Sequence, residues 1–509
     1  MITEDHRAEM AAEARPDAPE PRKKQKRSAK QSGLYRAVWR WHFYAGLFSI
    51  PIIVMLCLTG SVYLLKPQIE GLLYGHLTRV PPGAGTVPYQ AQLQAVTAAY
   101  PGATVSSVTP PLSATGATEF EVVRKGVGAK LADFALDYSV FVNPHTGRIV
   151  GHRDNSKDPV NVAVTLHGTL ATQRFLGSSK WGGRLIEVVA SWAILLLITG
   201  IFLWWPRGNR RSSLKGVLVP RMEQAKGSRT RWRDVHAITG VLFSFITLFF
   251  LVTGMLWTQV AGTNVHKLVQ GTFGQAFAQA PSSTKIKDVN PSGPWATSQI
   301  PVPPSARAEA PQYIASRAGD IRWNPKDGAP LDAVVARAQQ LDFAPGYTIT
   351  MPSGDTGTYL IGTYPDLDAK PNQRVSKERF AFVDQYTAQP LGELRHTQIG
   401  LFGRAMDTGV ALHEGRQLGI WNQVASLIAV CAVLLSCATS VVMWRKRRPV
   451  GLGAPKPVPN RRINLAIFAV ALVLSVAFPL LGITLLAVVV FESLIVHRVP
   501  RLARALGAA

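Results

Sequence analysis

The sequence is poor in cysteine and in acidic residues, and both shortages exclude classes of protein. Its 509 residues contain three cysteines, Cys57, Cys431 and Cys437, all within apolar blocks. The polar segments therefore have no disulfide framework and must be held by their own cores. Lys and Arg number 55 against 31 Asp and Glu, a formal net charge of +24. Such a charge favours an anionic partner, either nucleic acid or a membrane surface.

Motifs that identify nucleotide-dependent enzymes or nucleic-acid-binding proteins are also missing. The chain contains no P-loop, and no G-x-G-x-x-G follows a predicted strand and opens a helix. Zinc-finger spacings and RNA-binding signatures are absent too. The basic segments between apolar blocks are too short for a flavin or nicotinamide domain. We therefore expect no nucleic acid as partner, and we expect any electron donor to be quinol or a separate protein.

Long apolar blocks are what the sequence has instead, since 47% of its residues are hydrophobic. A helix needs about 20 apolar residues to span a bilayer. Four blocks each predict one span, namely Phe43–Leu65, Val188–Trp205, Ala237–Val260 and Ile420–Trp444. A fifth, longer block, Ile463–His497, is interrupted by Pro479 and Gly482, which favours a hairpin of two short helices.

Basic residues predict the orientation of these spans. They cluster before the first span, including "RKKQKR" at 22–27, between the second and third spans, and in "RKRR" after the fourth. The positive-inside rule makes these segments cytoplasmic. The N-terminus is then cytoplasmic, the two long connections face the other side, and a C-terminal hairpin returns the tail to the cytoplasm.

The two long connections resemble each other. "FVNPHTGRIVG" at 141–151 matches "FVDQYTAQPLG" at 382–392, and each follows a helical stretch that ends in Pro-Gly. Each is followed by a Leu-His pair and by a span that ends in Trp and basic residues. The sequence thus repeats one unit: a span, an α+β segment, a histidine and a second span. We expect a four-helix core built from this duplicated two-helix unit.

The predicted division of the chain follows from these features. It comprises a disordered basic cytoplasmic tail at 1–35, a first span at 36–66, an outer α+β domain at 67–165, an outer His segment and second span at 166–206, a cytoplasmic loop at 207–233, a third span at 234–260, a second outer α+β domain at 261–411, an outer His segment and fourth span at 412–445, a cytoplasmic loop at 446–462, the C-terminal hairpin at 463–497 and a cytoplasmic tail at 498–509.

Four histidines occupy matched places in the two repeats. "HFYAGLFSIPIIVMLCLTG" at 42–60 and "HAITGVLFSFITLFFLVTG" at 236–254 place His42 and His236 at the cytoplasmic mouths of spans. His167 and His413 lie on the outer side, before the second and fourth spans. Two neutral imidazoles from facing helices can hold a haem iron between them as axial ligands. We therefore predict one haem between each pair.

Neighbouring residues suit this prediction. Gly46 and Gly240 lie one turn beyond His42 and His236, where a missing side chain leaves room for a flat macrocycle. Arg184 and Arg416 lie near the outer histidines and are candidates to pair with haem propionates. A plainer alternative stays open, in which helix-mouth histidines are interfacial side chains and the Thr-Gly pairs serve only close helix packing. The unmatched histidines, His396 among them, are interpreted as surface or packing residues.

On these motifs the sequence resembles the PepSY-associated transmembrane proteins, a family that includes ferric-siderophore reductases and iron-regulated membrane proteins of bacterial inner membranes. The resemblance covers roughly residues 35–450 and rests on "RWHFYAGLFSIPIIVMLCLTG", "LHGTL" with "LLLITGIFLWWPR", "RDVHAITGVLFSFITLFFLVTG" and the two "FV(N/D)xxT" endings. It implies a helical membrane core with two periplasmic α+β PepSY-like domains, haem b in the membrane and reduction of iron chelates in the periplasm. The family histidines correspond to His42, His167, His236 and His413, whereas "TS" at 439–440 departs from the Thr-Gly pattern.

The function predicted from the sequence is that of a multi-pass inner-membrane ferric-chelate reductase with two haem b groups. It would contact the lipid bilayer, take electrons from quinol or a separate protein, and release iron from a ferric siderophore or another ferric chelate. A second class of function stays open. In that alternative the protein is a non-enzymatic membrane scaffold whose PepSY-like domains bind or modulate a periplasmic protein or transporter.

Overall fold

The computed structural model describes residues 22–124, 138–206, 215, 217–221, 228–269, 283–290, 295–316, 319–363 and 375–447, and in the C-terminal region 452, 455, 465, 468–469, 472–476, 478–495 and 498–505. Most of the predicted tail at 1–35 and of the loops at 207–233 and 446–462 lies outside these ranges. Residues 22–35, which were predicted to be disordered, are helical and continue into the first span. Lys, Arg, Gln and Ala are good helix formers, and they extend this helix away from the apolar block.

Helices occur in all parts of the described chain. In chain order they are α1 (Arg22–Leu64), α2 (Lys66–Thr78), α3 (Tyr89–Ala99), α4 (Pro159–Thr169), α5 (Thr172–Leu176), α6 (Lys180–Trp204), α7 (Arg229–Leu242), α8 (Ser244–Met255), α9 (Ala261–Val269), α10 (Ile286–Val289), α11 (Leu331–Gln340), α12 (Leu401–His413), α13 (Ile420–Arg447), α14 (Pro479–Leu494) and α15 (Pro500–Ala505). Short 3₁₀ turns occur at Pro325–Asp327, Val375–Lys377 and His396–Gln398.

The strands within the described ranges form one large sheet and one small hairpin. They are β1 (Ala103–Thr109), β2 (Thr118–Arg124), β3 (Tyr138–Val142), β4 (Ile149–Asp154), β5 (Gln312–Ser316), β6 (Gly319–Trp323), β7 (Tyr347–Thr350), β8 (Thr358–Thr363), β9 (Arg379–Asp384) and β10 (Pro390–Arg395). The large sheet has the order β10-β9-β8-β7-β1-β2-β3-β4, and every pair in it is antiparallel. Strands β5 and β6 pair with each other as the hairpin.

Among the residues that the structure describes, three helices are long and apolar enough to cross a membrane by themselves, namely α1 over Gly33–Leu64, α6 and α13. The pair α7 and α8 passes the same test jointly but is bent by 57°, which gives four spans if the pair counts as one. These elements coincide with the four predicted apolar blocks. Helix α1 packs along α6, and α7 packs along α13, so the two spans of each repeat are neighbours.

The first span of the second repeat is bent midway, and the first span of the first repeat has a proline near the corresponding place. Gly240 and Ser244 flank the bend between α7 and α8, where Ser244 Oγ donates to the Val241 carbonyl over 2.8 Å. A Gly/Ser pair whose hydroxyl competes for a helix carbonyl is a common cause of kinks. Pro51 lies near the corresponding place in α1 and removes one hydrogen bond of its ladder. Membrane-spanning helices tolerate such breaks, because neighbouring helices cover the freed backbone groups.

The two α+β segments share a single sheet, whereas the sequence predicts two domains. Each segment contributes one helix and a four-strand meander, β1–β4 with α3 and β7–β10 with α11. The meanders join through β1 and β7, where Ser107 faces Thr350 and Val108 faces Ile349. Buried apolar side chains from both segments form one continuous cluster beneath α3 and α11. The segments therefore form one α/β layer pair on one side of the spans.

Reciprocal caps at the helix N-termini fasten the two halves of this layer. The Asp332 carboxylate accepts hydrogen bonds from the Tyr89 and Gln90 amides at 2.7 and 3.0 Å. In return Gln90 Oε1 accepts from the Leu331 amide at 2.9 Å. Each helix start thus satisfies amides of the other that have no partner within their own helix. This exchange gives the joint between the halves a defined register.

Matched turns close the two meanders despite a sequence difference. Gly147 adopts a left-handed φ of 69° in the first turn, and Ala388 occupies the same place with φ 52° in the second. Alanine pays a conformational penalty of about 1–2 kcal/mol there. Asp384 offsets it by accepting hydrogen bonds from the Tyr386 and Thr387 amides at 2.8 and 2.9 Å. The repeated turn is therefore kept without its glycine.

The C-terminal block contains the predicted break. Its second arm is α14, which begins at Pro479 after a non-helical Phe478, while part of the first arm lies outside the described residues. Trp192 Nε1 of α6 donates to Thr484 over 2.9 Å and so anchors α14 to the second span. Gly482 does not end a helix, because it lies within α14, and a Cβ there would lie 2.7 Å from Ser475 Cβ. The missing side chain at Gly482 instead allows the two arms of the block to approach each other closely.

Candidate functional site

The four matched histidines meet as two pairs. The ring centres of His42 and His236 are 6.3 Å apart with planes at 77°, and those of His167 and His413 are 6.5 Å apart at 85°. A bond from a metal to an imidazole nitrogen is about 2 Å long and the nitrogen lies about 1 Å from the ring centre, so two imidazoles on opposite sides of one ion have centres roughly 6 Å apart. Both pairs have this spacing.

Each histidine is held by a threonine of a neighbouring helix. In every case the Nδ1 atom contacts the threonine hydroxyl, and His236 Nδ1 also contacts the Ser436 carbonyl at 3.0 Å. The four contacts are His42 to Thr199 at 2.9 Å, His167 to Thr59 at 3.0 Å, His236 to Thr439 at 3.3 Å and His413 to Thr253 at 2.9 Å. The first span of each repeat therefore has a histidine at one end. At its other end it has a threonine whose hydroxyl contacts a histidine of a different helix.

These contacts determine which ring nitrogen carries the proton. Each of the four threonine hydroxyls donates its single proton to the carbonyl one turn earlier in its own helix, at 2.7–2.8 Å. The hydroxyl can then only accept from the imidazole, so Nδ1 is the protonated nitrogen. The Nε2 atoms have no hydrogen-bond partner among the residues that the structure describes. Each imidazole thus keeps its Nε2 lone pair available for a metal.

A glycine follows three of these threonines, and it makes room for the imidazole. A Cβ at Gly200 would lie 3.3 Å from His42 Cε1, at Gly60 3.3 Å from His167 Cε1, and at Gly254 3.2 Å from His413 Cε1. Such contacts are tighter than ordinary van der Waals distance. The fourth position is Ser440, whose hydroxyl turns back to the Cys437 carbonyl at 2.7 Å.

A cavity of about 680 Å³ surrounds the pair formed by His42 and His236. This volume is within the range of about 300–1,000 Å³ that is typical of cofactor sites. Its walls are mostly aliphatic and aromatic, and they include Gly46 and Gly240. A Cβ at Gly240 would meet no atom within 4 Å, so this glycine faces open space as the spacing predicts.

The arginines of the site differ in their surroundings. Arg184 is exposed, and its guanidinium lies over the Trp181 ring at 5.5 Å. The guanidinium of Arg416 is largely buried and forms ion pairs with Glu414 and Glu378. Neither lines the cavity around His42, whereas three other arginines do: Arg229, Arg233 and Arg447. The pairing of Arg184 and Arg416 with propionates stays a prediction.

Three further titratable side chains gather on the side of the second histidine pair. Glu378, His396 and Asp407 are all buried, and one potential ligand atom of each lies within 4.8 Å of the other two. Burial and the nearby Asp407 raise the pKa of Glu378 well above its usual value. Burial raises the pKa of Asp407 to about 7. From the sequence, His396 was interpreted as a surface or packing residue, because it lacks a partner in the other repeat.

The threonines that contact the histidines were not predicted as site residues, although the repeat contains a signal for them. Thr59-Gly60, Thr199-Gly200 and Thr253-Gly254 recur as pairs, and "TS" takes the fourth place at 439–440. Four threonines matched to four histidines are a signal that packing alone does not require. The spacing within one helix, which pointed to Gly46 and Gly240, could not reveal contacts between helices.

A known protein family matches most of the chain. The model of the family described as "PepSY-associated TM region" matches residues 39–447, which include all four histidines and their threonines. No curated protein matches the chain. A match over this length, together with the apolar spans, shows a multi-pass membrane protein that contacts the lipid bilayer. The chain belongs to the PepSY-associated transmembrane family.

Proposed function

We propose that this protein is a haem-containing reductase of the bacterial inner membrane that passes electrons across the bilayer to ferric chelates. The observation that carries the proposal is the geometry of the two histidine pairs. Their ring centres lie 6.3 and 6.5 Å apart, and each Nδ1 contacts a threonine hydroxyl, which leaves Nε2 as the nitrogen for a metal. An interfacial or packing role for a histidine requires neither feature.

Residues of the chain fit a haem at the first pair, where a cavity surrounds the two rings, and the second pair has nearly the same ring spacing. His42 and His236 would hold one group, and His167 and His413 would hold the other. Around the first pair, Gly240 faces open space, whereas a Cβ at Gly46 would lie 3.8 Å from Leu196 Cδ2. The positive charges of the arginines at the cavity wall complement carboxylate substituents. The threonines orient the imidazoles and fix their tautomers. When bound, haem iron supplies one-electron oxidation and reduction.

The separation of the pairs explains why two are present. His42 and Thr59, which contacts His167, are both on α1, and the helical rise places them about 26 Å apart along its axis. This distance is close to the hydrocarbon thickness of a bilayer, about 30 Å. One pair therefore lies near each membrane face. We assign the pair on the side of the sheet to the periplasm, because the basic clusters lie on the other side.

The remaining assignments follow from the chemistry of the two ends. Quinol or a separate protein would donate electrons at the cytoplasmic pair, since the chain has no nucleotide-binding motif. A ferric siderophore or a similar chelate would accept them at the sheet side. Reduction to Fe²⁺ weakens binding by hard oxygen ligands, so the iron is released.

Reduction of external iron by sealed vesicles tests this function. Wild-type protein is reconstituted with a quinol inside and a ferric chelate outside, and a ferrous indicator is read outside. We expect Fe²⁺ to appear with the wild type. In His413→Ala we expect little Fe²⁺, although the group at His42 and His236 still becomes reduced. The exposed His76→Ala serves as a control with wild-type rates.

Two outcomes would contradict the proposal. If the purified protein shows no Soret band and no dithionite-sensitive α and β bands, it is not a haem protein, and a non-enzymatic scaffold becomes the better explanation. If His413→Ala reduces external iron at the wild-type rate, the second pair is not on the electron path.

The threonine contacts yield a second prediction. Thr199→Val keeps the size of the side chain but removes the acceptor for His42 Nδ1. Loss of such an outer partner typically weakens metal affinity about 10- to 100-fold. We expect faster loss of one haem to apomyoglobin and a shifted reduction potential for that haem. Thr199→Ser restores the hydroxyl and should behave as the wild type. Equal haem loss from both variants would contradict the role of this hydrogen bond.

A further inference from the structure

A further potential metal site, distinct from the two histidine pairs, lies where the sheet meets α12. Glu378 immediately precedes β9, His396 immediately follows β10, and Asp407 lies on α12. The ends of the two strands are tied together, because the His396 amide donates to the Glu378 carbonyl over 3.0 Å. Helix α12 then closes over both residues. Three separate elements thus bring one imidazole and two carboxylates to a single place.

The polar atoms of this trio are buried and lack hydrogen-bond partners. Glu378 is 2% exposed, Asp407 2% and His396 7%. Both carboxylate oxygens of Glu378, Asp407 Oδ2 and His396 Nδ1 make no hydrogen bond to any described residue. Leaving such groups unpaired costs about 1–3 kcal/mol each, and more for charged groups. Four such atoms in one cluster therefore indicate that a ligand binds there.

Neighbouring charges meet this need only in part. Arg416 Nη1 lies 3.7 Å from Glu378 Oε1, which is beyond hydrogen-bond distance, and Arg416 also pairs with Glu414. Arg404 lies on the same helix as Asp407, and its buried Nε has no hydrogen-bond partner within the described part of the chain. Asp407 Oδ1 accepts from the Ala296 amide at 2.9 Å, which leaves Oδ2 as the free oxygen of this carboxylate.

We propose that Glu378, His396 and Asp407 bind a divalent first-row transition-metal ion of the Fe²⁺, Mn²⁺ or Zn²⁺ class. Imidazole nitrogen together with carboxylate oxygen suits these ions, whereas Mg²⁺ and Ca²⁺ prefer oxygen alone. Ligand bonds of about 2.0–2.2 Å place donor atoms roughly 3–4 Å apart, so the three side chains must draw in by about 1 Å. The site completes its coordination with water or an added ligand.

The location of this site is specific to the second repeat. Asp407 lies six residues before His413 on α12, about 9 Å along the helix. The first repeat has Asn161 at the matching position before His167, and an amide is a poor substitute for a carboxylate. The metal site is thus independent of the histidine pairs and does not rest on the proposed function.

Metal binding by the full-length protein in detergent tests the assignment. The protein is stripped with EDTA, dialysed against Zn²⁺ or Mn²⁺, and analysed for metal per chain. These ions are chosen because haem iron would confuse a measurement of Fe²⁺. We expect one ion per wild-type chain, and at least tenfold weaker binding in Asp407→Asn, Glu378→Gln and His396→Gln. The matched controls His152→Gln and Asp355→Asn, both at exposed side chains, should keep wild-type binding.

Thermal unfolding provides a second measurement. An ion that binds only the folded chain raises the melting temperature as its concentration increases. We expect this rise in the wild type and in both controls, and its loss in the three variants. A wild type that retains no ion after dialysis overturns the proposal, as do variants that bind and respond like the wild type. In the first case the trio is a buried polar cluster without a metal, and in the second the ion binds elsewhere.

Discussion

Replacing His42 or His236 by alanine should reduce the haem content from two groups per chain to one. The remaining group should be the one held by His167 and His413, because the two pairs share no residue. Either outer variant, His167→Ala or His413→Ala, should lose the other group. Haem per chain is measured by the pyridine haemochrome method on purified protein.

Added imidazole separates loss of a ligand from loss of the fold. Alanine leaves a hole of the size of the missing ring, because Thr199 and Gly200 still shape the place of the His42 imidazole. Imidazole in solution should therefore restore haem binding to His42→Ala. His76→Ala, at an exposed position, should keep both groups without imidazole. If all four single variants retain full haem content, these histidines are not the ligands.

Much of the membrane region could be predicted from the sequence, because its signals are repeated and periodic. Apolar blocks of sufficient length predict spans, and the structure has helices at all four places. The repeat of His and Thr-Gly predicted which histidines meet. It did not reveal that each Thr-Gly receives a histidine from another helix, because spacing along one helix says nothing about its neighbours.

The outer region was harder to predict for a related reason. The repeated motifs predicted two α+β segments, but the joint between β1 and β7 rests on two facing residue pairs with no sequence signature. No pattern along the chain therefore indicated that the segments share one sheet. The cluster of Glu378, His396 and Asp407 was not predicted for the same reason, since each is a single residue that the chain topology brings into place.

The glycines beside the imidazoles lead to the other prediction with a large effect. A Cβ at Gly254 would lie 3.2 Å from His413 Cε1, and one at Gly200 would lie 3.3 Å from His42 Cε1. Leucine adds three further carbons at that point. The imidazole must therefore lose its contact with the threonine, and it can no longer point toward the partner histidine. We expect Gly254→Leu and Gly200→Leu each to lose one haem, as fully as the corresponding histidine variants.

Matched variants distinguish this local clash from a general effect on the spans. Gly71→Leu on α2 introduces the same side chain where a Cβ would meet nothing within 4 Å, and it should keep both haems. Ser440→Gly should also keep both, because the Ser440 hydroxyl already turns toward Cys437 and His236 is anchored to the Ser436 carbonyl. Added imidazole should not rescue Gly254→Leu, since leucine occupies the space that the ring needs. If Gly254→Leu binds two haems with unchanged spectra, the histidine is free to ligate from another position, and the close contact between ring and glycine is not required for binding.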